Sequence, residues 1–227
     1  MCIRDRKWGI RILGPNTMGV LNLYNGFNTF FTPRLKRTSN GEVTDTYSIP
    51  RRGGVTVITQ SGGLGTTIMD HLMLADIGVR CFVGTGNQLD LDVSDFIEYF
   101  AEDPNTDLIF LYLEGVKNGR KFIEKAWEAS RKKPIVAIRA GKTTTGRRAA
   151  MTHTASMITS KEVYDVALER AGVIEAETME DAVDMIEALL SLKPIQKDEI
   201  FILSNGGGGG DVAADFCEAL GFKLRQP

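Results

Sequence analysis

The chain has 227 residues, of which 43% are hydrophobic and 25% charged, with a formal net charge of −2, which excludes a disordered or collagen-like chain. The balance of 27 basic against 29 acidic residues excludes a general basic surface for nucleic acid. Its three cysteines, Cys2, Cys81 and Cys217, lie far apart and no apolar run approaches the roughly 18 residues of a membrane helix, so we expect a cytoplasmic protein with neither a disulfide framework nor a membrane segment.

Short apolar runs alternate with helical patterns along the chain. The runs are rich in β-branched residues, and the segments between them carry apolar residues at spacings of three and four, as amphipathic helices do. This alternation predicts an α/β protein with a parallel sheet and helices on both faces. The predicted strands are Ile10–Leu13, Val55–Thr59, Val79–Val83, Leu108–Leu113, Ile135–Ile138 and Ile200–Leu203, and the predicted helices include Thr66–Asp76, Val93–Ala101 and Arg120–Ser130.

Two polar stretches interrupt this rhythm. Tyr24–Gly53 is long and contains two prolines, and Lys193–Asp198 is shorter and contains one. Both are typical of connections between domains, so residues 53–192 are expected to form one domain. The first six residues resemble translated sequencing adapter and are left out of the fold prediction.

Polar residues and glycines follow the predicted strands at the ends where parallel sheets bind ligands. Gln60–Gly65 follows the second strand, Gly84–Asn87 the third, and Glu114 with Gly115 the fourth. A polar loop that contains His153 comes after the fifth. We therefore expect the glycines, the carboxylate and the histidine to converge on one sheet edge.

The segment from Gln60 to Gly63 joins a strand to a helix. Its backbone N–H groups and the Ser61 hydroxyl would lie at the helix N-terminus, where the dipole favours an anion, so we predict a phosphate-binding loop at Ser61, Gly62 and Gly63. Ser61 is alternatively a hydrolase nucleophile at a strand–turn–helix elbow, but Thr59 replaces the small residue that such an elbow requires.

The two histidines differ in their surroundings. His71 falls within a predicted helix, whereas His153 lies among small and hydroxyl residues that would let its ring reach a ligand. Glu114 ends an apolar strand, where a carboxylate either caps a helix or orients a base. A nearby acidic cluster, at residues 90, 92 and 95, has no accompanying histidine, so helix capping explains it better than metal binding.

Six motifs in order along the chain resemble the nucleoside-diphosphate-forming acyl-CoA synthetases. This superfamily includes succinyl-CoA synthetase and ADP-forming acetate–CoA ligase, and the resemblance, which covers roughly residues 8–227, looks closer to the acetate branch. The motifs are Gly14-Pro15-Asn16-Thr17-Met18-Gly19, Gln60-Ser61-Gly62-Gly63, Gly84-Thr85-Gly86-Asn87, Asp103-Pro104-Asn105-Thr106, Leu113-Glu114-Gly115 and Thr152-His153-Thr154-Ala155-Ser156.

The resemblance implies three domains and their ligands. Residues 1–50 would be the tail of a Rossmann domain that binds coenzyme A, residues 53–192 a flavodoxin-like ligase domain, and residues 199–227 the start of a second flavodoxin-like domain. Asn16 and Thr17 would lie near the thiol end of coenzyme A. ATP or ADP with Mg²⁺ would bind to an ATP-grasp domain or β subunit that this chain lacks.

The resemblance also implies the chemistry. His153 would be transiently phosphorylated, Glu114 would orient it, and the helix start at Ser61 would hold the phosphohistidine. The chain would then be a fragment of a ligase that converts a small carboxylic acid, CoA and ATP to acyl-CoA, ADP and phosphate, without metal ligands of its own and inactive in isolation. The alternative is a non-catalytic CoA-sensing module of a protein acetyltransferase.

Overall fold

The computed structural model describes residues 7–143, 145–146, 161–192 and 199–225. The chain divides into two compact units, Met1–Ser191 and Leu192–Pro227. The first unit contains the loops that the sequence singles out, and its strands fix where those loops lie. Its strands are β1 (Val20–Asn22), β2 (Phe27–Asn28), β3 (Leu35–Arg37), β4 (Val43–Asp45), β5 (Arg52–Thr59), β6 (Val79–Gly84), β7 (Leu108–Leu113), β8 (Ile135–Arg139) and β9 (Ile174–Glu175).

Seven of these strands form one sheet in the order β2-β1-β6-β5-β7-β8-β9. From β5 to β9 every pairing is parallel, and the order of these five strands is the 2-1-3-4-5 order of flavodoxin-like sheets. The predicted flavodoxin-type order is therefore confirmed. Strand β1 adds to β6 in the antiparallel direction and pairs with β2 at the edge.

Helices cover both faces of the sheet and bury two separate apolar clusters. Side chains alternate between the faces along a strand, so Ile109 and Leu111 join one cluster and Phe110 joins the other. The helices are α1 (Gly62–Leu74), α2 (Val93–Glu102), α3 (Gly119–Ser130), α4 (Lys161–Arg170) and α5 (Met179–Ser191). Helices α2, α3 and α4 pack on the first face, and α1 and α5 on the second.

The predicted strand Ile10–Leu13 is wrong. Its backbone is bound to a loop instead of a strand: the Ile12 N–H donates to the Asp90 carboxylate at 2.8 Å, and the Ile12 carbonyl accepts from the Leu91 N–H at 3.1 Å. An apolar run of four residues cannot be told from such a segment by periodicity alone. The short strands β1 and β9 were not predicted, because two or three residues show no period.

The segment Tyr24–Gly53 contains the antiparallel pair β3 and β4. It also packs on the sheet, since the rings of Phe30 and Phe82 lie 4.9 Å apart in an edge-to-face arrangement, and Tyr47 is buried against Phe30. Its role as a connection between domains stays a prediction.

The second unit is one βαβ element. Strand β10 (Glu199–Ile200) is parallel to β11 (Lys223–Leu224), and helix α6 (Gly207–Ala219) connects them. The predicted strand at 200–203 is therefore shorter than expected and begins one residue earlier. Within the described ranges, no helix is both long and apolar enough to cross a membrane.

Candidate functional site

The carboxyl ends of β5, β6 and β7 lie side by side. Thr59 at the end of β5 is in register with Gly84 on one side and with Tyr112 on the other. The loops that follow these strands therefore begin at the same edge of the sheet. The structure thus brings together three of the four predicted loops, those at 60–65, 84–87 and 114–115.

Helix α1 starts at this edge, and among the described residues two of its first N–H groups have no acceptor. The Ser61 hydroxyl caps the helix by accepting from the Leu64 N–H at 3.3 Å, and the Ser61 carbonyl accepts from the Gly65 N–H at 3.0 Å. The structure describes no acceptor for the N–H groups of Gly62 and Gly63 among the residues it covers. A helix N-terminus with free N–H groups favours an anion.

Close packing fixes the start of α1. The Thr59 hydroxyl donates to the Ser61 carbonyl at 2.7 Å. A Cβ built on Gly65 would lie 2.6 Å from Thr59 Cγ2 and 2.7 Å from the Phe82 ring, so only glycine fits there. A Cβ built on Gly63 would have nothing within 4 Å among the residues that the structure describes. The start of the predicted anion-binding loop is therefore held in place by close packing at Gly65 and uncrowded by the described residues at Gly63.

Gln60 connects this helix start to the loop that carries Glu114. The side chain is buried, with 8% of the residue exposed. Its Oε1 accepts from the N–H groups of Glu114 and of Gly115, the latter at 2.9 Å, and its Nε2 donates to the Gly115 carbonyl at 2.6 Å. This role of Gln60 was not predicted from the sequence, although a polar side chain directly after a buried strand is a signal for it.

Glu114 itself is half-buried at the end of β7. Burial raises the pKa of the neighbouring Tyr112 to about 12, and the charge of Glu114 adds to that rise. Tyr112 therefore stays protonated at neutral pH. A half-buried carboxylate at this edge has the chemistry to accept a hydrogen bond from an imidazole N–H.

The predicted CoA residues Asn16 and Thr17 lie at the same edge. The Thr17 hydroxyl donates to the Gly84 carbonyl and accepts from the Gly19 N–H at 3.0 Å, so it anchors the loop. Asn16 is exposed, adopts a positive φ of 56°, and donates from Nδ2 to Asn87 Oδ1 at 3.3 Å. Asn16 is therefore the one of the pair whose side chain a ligand can reach directly.

The acidic cluster after β6 caps a helix, as predicted. Asp92 accepts from the N–H groups of Ser94 and Asp95 at the start of α2, and the Asp95 carboxylate accepts from the Asp92 N–H. Asp90 instead pairs with Arg11 at 2.9 Å. No group of three metal-binding side chains occurs in the part of the chain that the structure describes.

An arginine that the sequence analysis did not single out ends β8. The side chain of Arg139 is only 2% exposed and pairs with Asp165 at 2.8 Å and Glu175 at 3.2 Å. The guanidinium also lies 4.9 Å from the Tyr164 ring centroid. These contacts balance the buried charge and attach α4 to the sheet, so Arg139 has a structural role.

His153 and the other residues from 147 to 160 lie outside the described residues. His71 lies within α1, as predicted, where its Nδ1 is 2.9 Å from the Thr67 carbonyl oxygen and its Nε2 is 4.0 Å from Glu180. The His71 ring therefore contacts a carbonyl of its own helix and lies near Glu180.

Comparison with known proteins identifies the class to which this fold and site belong. Residues 52–189 match the family described as the succinyl-CoA ligase-like flavodoxin domain. This match covers more than half of the chain, so the protein belongs to that family. The family resemblance noted in the sequence is confirmed.

Two similar proteins are named as ADP-forming ligases. The chain is 42% identical to subunit alpha of ADP-forming acetate–CoA ligase I from Pyrococcus furiosus, over 96% of this chain and 44% of that protein. It is 36% identical to ADP-forming acetate–CoA ligase from Methanocaldococcus jannaschii, over 96% of this chain and 29% of that protein. The chain thus spans less than half the length of these relatives.

A solved structure shares the fold. It is the dinucleotide-forming acetyl-coenzyme A synthetase 1 of Ca. Korarchaeum cryptofilum in complex with phosphate and ADP. The TM-score is 0.82 at 38% identity, and the match covers 99% of this chain and 46% of that one.

Proposed function

We propose that this chain is part of an ADP-forming acid–CoA ligase, in which His153 carries a phosphoryl group between an acyl phosphate and ADP. The reversible overall reaction converts a carboxylic acid, CoA and ATP to acyl-CoA, ADP and phosphate. One observation carries the proposal: Gln60 holds the Glu114 loop against the capped start of α1 at one sheet edge. The ligase names of the relatives support it.

The chemistry of the edge suits a phosphohistidine. An imidazole acts as a nucleophile through one nitrogen when its other N–H donates to an acceptor, and Glu114 supplies a carboxylate for that purpose. As the phosphoryl group is transferred, its oxygens need donors and a positive field. The N–H groups of Gly62 and Gly63 and the dipole of α1 supply both.

Coenzyme A and the nucleotide complete the proposal. Exposed Asn16 would contact the thiol end of CoA, and Thr17 would hold the loop that presents it. ATP or ADP with Mg²⁺ would bind to an ATP-grasp domain or a β subunit. Residues 1–50 would belong to a Rossmann CoA-binding domain, and residues 199–227 to a second flavodoxin-like domain.

The remaining parts of the proposal follow from composition and family. We propose a small carboxylic acid as substrate, a cytoplasmic location, and no nucleic-acid or membrane partner. The near-neutral charge supports the absence of a nucleic-acid or membrane partner. The alternative, a CoA-sensing acetyltransferase module, has no support from the relatives, which are named as ligases.

Labelling with γ-³²P-ATP and Mg²⁺ tests the proposal in the complete enzyme. We expect acid-labile, base-stable label on this chain, lost when CoA and the acid are added. His153→Asn should fold and take no label. The matched control, His71→Asn, should label normally because that ring lies within α1, where its described polar contacts are with the Thr67 carbonyl and Glu180. Label that persists in His153→Asn would contradict the phosphohistidine assignment.

A further inference from the structure

We infer that Gln60 is a positioning residue, whose side-chain amide sets the place of Glu114 relative to the N-terminus of α1. This inference rests on the proposed function and names a residue that the family resemblance does not assign to the chemistry. Its basis is the set of three hydrogen bonds that one buried amide makes to two consecutive residues, Glu114 and Gly115.

The amide matches the turn in a way that other side chains of similar size cannot. A carboxamide combines one oxygen that accepts twice with a nitrogen that donates. Here the oxygen takes the N–H groups of both Glu114 and Gly115, and the nitrogen meets the Gly115 carbonyl. Glutamate would have no donor for that carbonyl, methionine would make none of the three bonds, and asparagine is one methylene shorter.

The backbone of Gln60 is itself held by hydrogen bonds, so its side chain can fix the position of the turn that carries Glu114. Its N–H donates to the Tyr112 carbonyl at 3.2 Å, which continues the pairing of β5 with β7. On the helix side, the Ser61 N–H donates to the Thr59 hydroxyl at 3.2 Å, and that hydroxyl donates to the Ser61 carbonyl. One residue thus joins a rigid helix start to the turn that carries the carboxylate.

Further contacts hold the chain directly after this turn. The Val116 side chain packs against the apolar cluster that contains Ile109 and Leu111, and Lys117 Nζ donates to the Gln88 carbonyl at 2.6 Å. The turn is therefore bound by Gln60 at residues 114 and 115 and held next to it by Val116 and Lys117. Loss of the Gln60 amide alone should move Glu114 without unfolding the turn, because the contacts of Val116 and Lys117 remain.

The test measures the rate of labelling by γ-³²P-ATP at saturating ATP in the complete enzyme. Gln60→Met removes all three hydrogen bonds and keeps the side-chain length. We expect labelling about 10²-fold slower, which is the scale for a displacement of about 1 Å at a reacting group. The KM for ATP should stay within about twofold, because ATP binding does not involve the turn.

Thr56→Val is the matched control. Thr56 lies in the same strand, where its hydroxyl hydrogen-bonds that of Thr106 at 2.9 Å in the buried core. The substitution removes a buried hydrogen bond far from the sheet edge that carries the site. The melting temperature should therefore fall, while the labelling rate stays within about twofold of wild type. If Thr56→Val slows labelling as much as Gln60→Met does, the effect is general destabilisation and the inference is overturned.

Gln60→Asn provides a second, smaller change that keeps the amide but shortens its reach. It should slow labelling by about tenfold. If Gln60→Met fails to assemble, Gln60→Asn tests the positioning role in its place. Wild-type rates in the assembled Gln60 variants would overturn the positioning role. They would leave the proposed function intact so long as His153→Asn still abolishes label, so the two failures are distinguishable.

Discussion

Gly86 and Asn16 approach each other so closely that a Cβ on Gly86 would lie 2.4 Å from the Asn16 carbonyl oxygen. Gly86 also has a φ of 55°, in the left-handed region, and the next N–H, that of Asn87, donates to the Pro15 carbonyl at 2.9 Å. The loop at 14–17 therefore lies directly on the loop after β6. Glycine is required there on two grounds, space and backbone conformation.

Gly86→Ala should destabilise the protein and displace the predicted CoA loop. We expect the free energy of unfolding to fall by about 2–4 kcal/mol, from strain at positive φ and the clash with Asn16. In the complete enzyme the KM for CoA should rise. Chemical denaturation and steady-state kinetics measure the two effects.

Gly119→Ala is the control for that substitution. Gly119 begins α3 without a positive φ, and a Cβ there would meet none of the described residues within 4 Å. Its free energy of unfolding should stay within about 0.5 kcal/mol of wild type. Equal losses in the two variants would show that the contact between Gly86 and Asn16 is not the cause.

Ser61→Ala tests whether Ser61 caps a helix or acts as a nucleophile. Loss of the side-chain bond to the Leu64 N–H should cost about 1 kcal/mol of stability, measured by thermal unfolding. The wild-type protein should also take no label from a fluorophosphonate. A fluorophosphonate adduct that disappears in Ser61→Ala would support the hydrolase alternative instead.

The pair of Asp103 and Arg80 should make stability depend on acid pH. The two side chains are 8% and 10% exposed and lie 2.8 Å apart. Burial opposes ionisation of Asp103, but bonds from Thr106, Asn105 and Arg80 outweigh it and hold the pKa of Asp103 below its usual 3.8. A lowered pKa gives stability that is present above the unfolded-state pKa and lost as the pH falls through the folded-state pKa.

Asp103→Asn should therefore cost about 3 kcal/mol at neutral pH, because it leaves the Arg80 charge buried without its partner. It should also flatten the loss of stability between roughly pH 5 and pH 2. Denaturation at a series of pH values measures both. Asp45→Asn, in an exposed pair with Arg34, should change stability by less than about 0.5 kcal/mol, and a similar effect at both sites would contradict the argument.

Glu114→Gln should slow phosphoryl transfer far more than it affects folding. The amide still accepts a hydrogen bond but no longer stabilises positive charge on the imidazole, so we expect a rate lower by about 10²–10⁴-fold in the complete enzyme. Single-turnover labelling measures it. Glu102→Gln, which changes an exposed carboxylate paired with Lys132, should be neutral. Near wild-type turnover in Glu114→Gln would remove Glu114 from the mechanism.

Much of the framework could be predicted because its signals are local. The strands β5 to β8 are five to eight residues long and each contains a predicted apolar run, and Asp92 precedes an amphipathic stripe at the position where a helix cap belongs. The strand prediction at Ile10–Leu13 was wrong because this signal is only local. An apolar run indicates that a segment is extended, but it does not indicate which distant part of the chain the segment hydrogen-bonds to. Here that partner is the loop at 90–91.

The sequence by itself determined the parallel sheet, the loops at its carboxyl ends, and Ser61 as the start of a helix, since each depends on neighbouring residues. Only the tertiary structure decided which groups meet. Gln60 reaches Gly115, 55 residues away, because β5 and β7 pair in a register that aligns Thr59 with Tyr112. The Thr17 hydroxyl binds the Gly84 carbonyl, 67 residues away, because β1 pairs with β6 and brings the two segments together. Strand register and loop packing are long-range properties, and they turn a set of local motifs into one site.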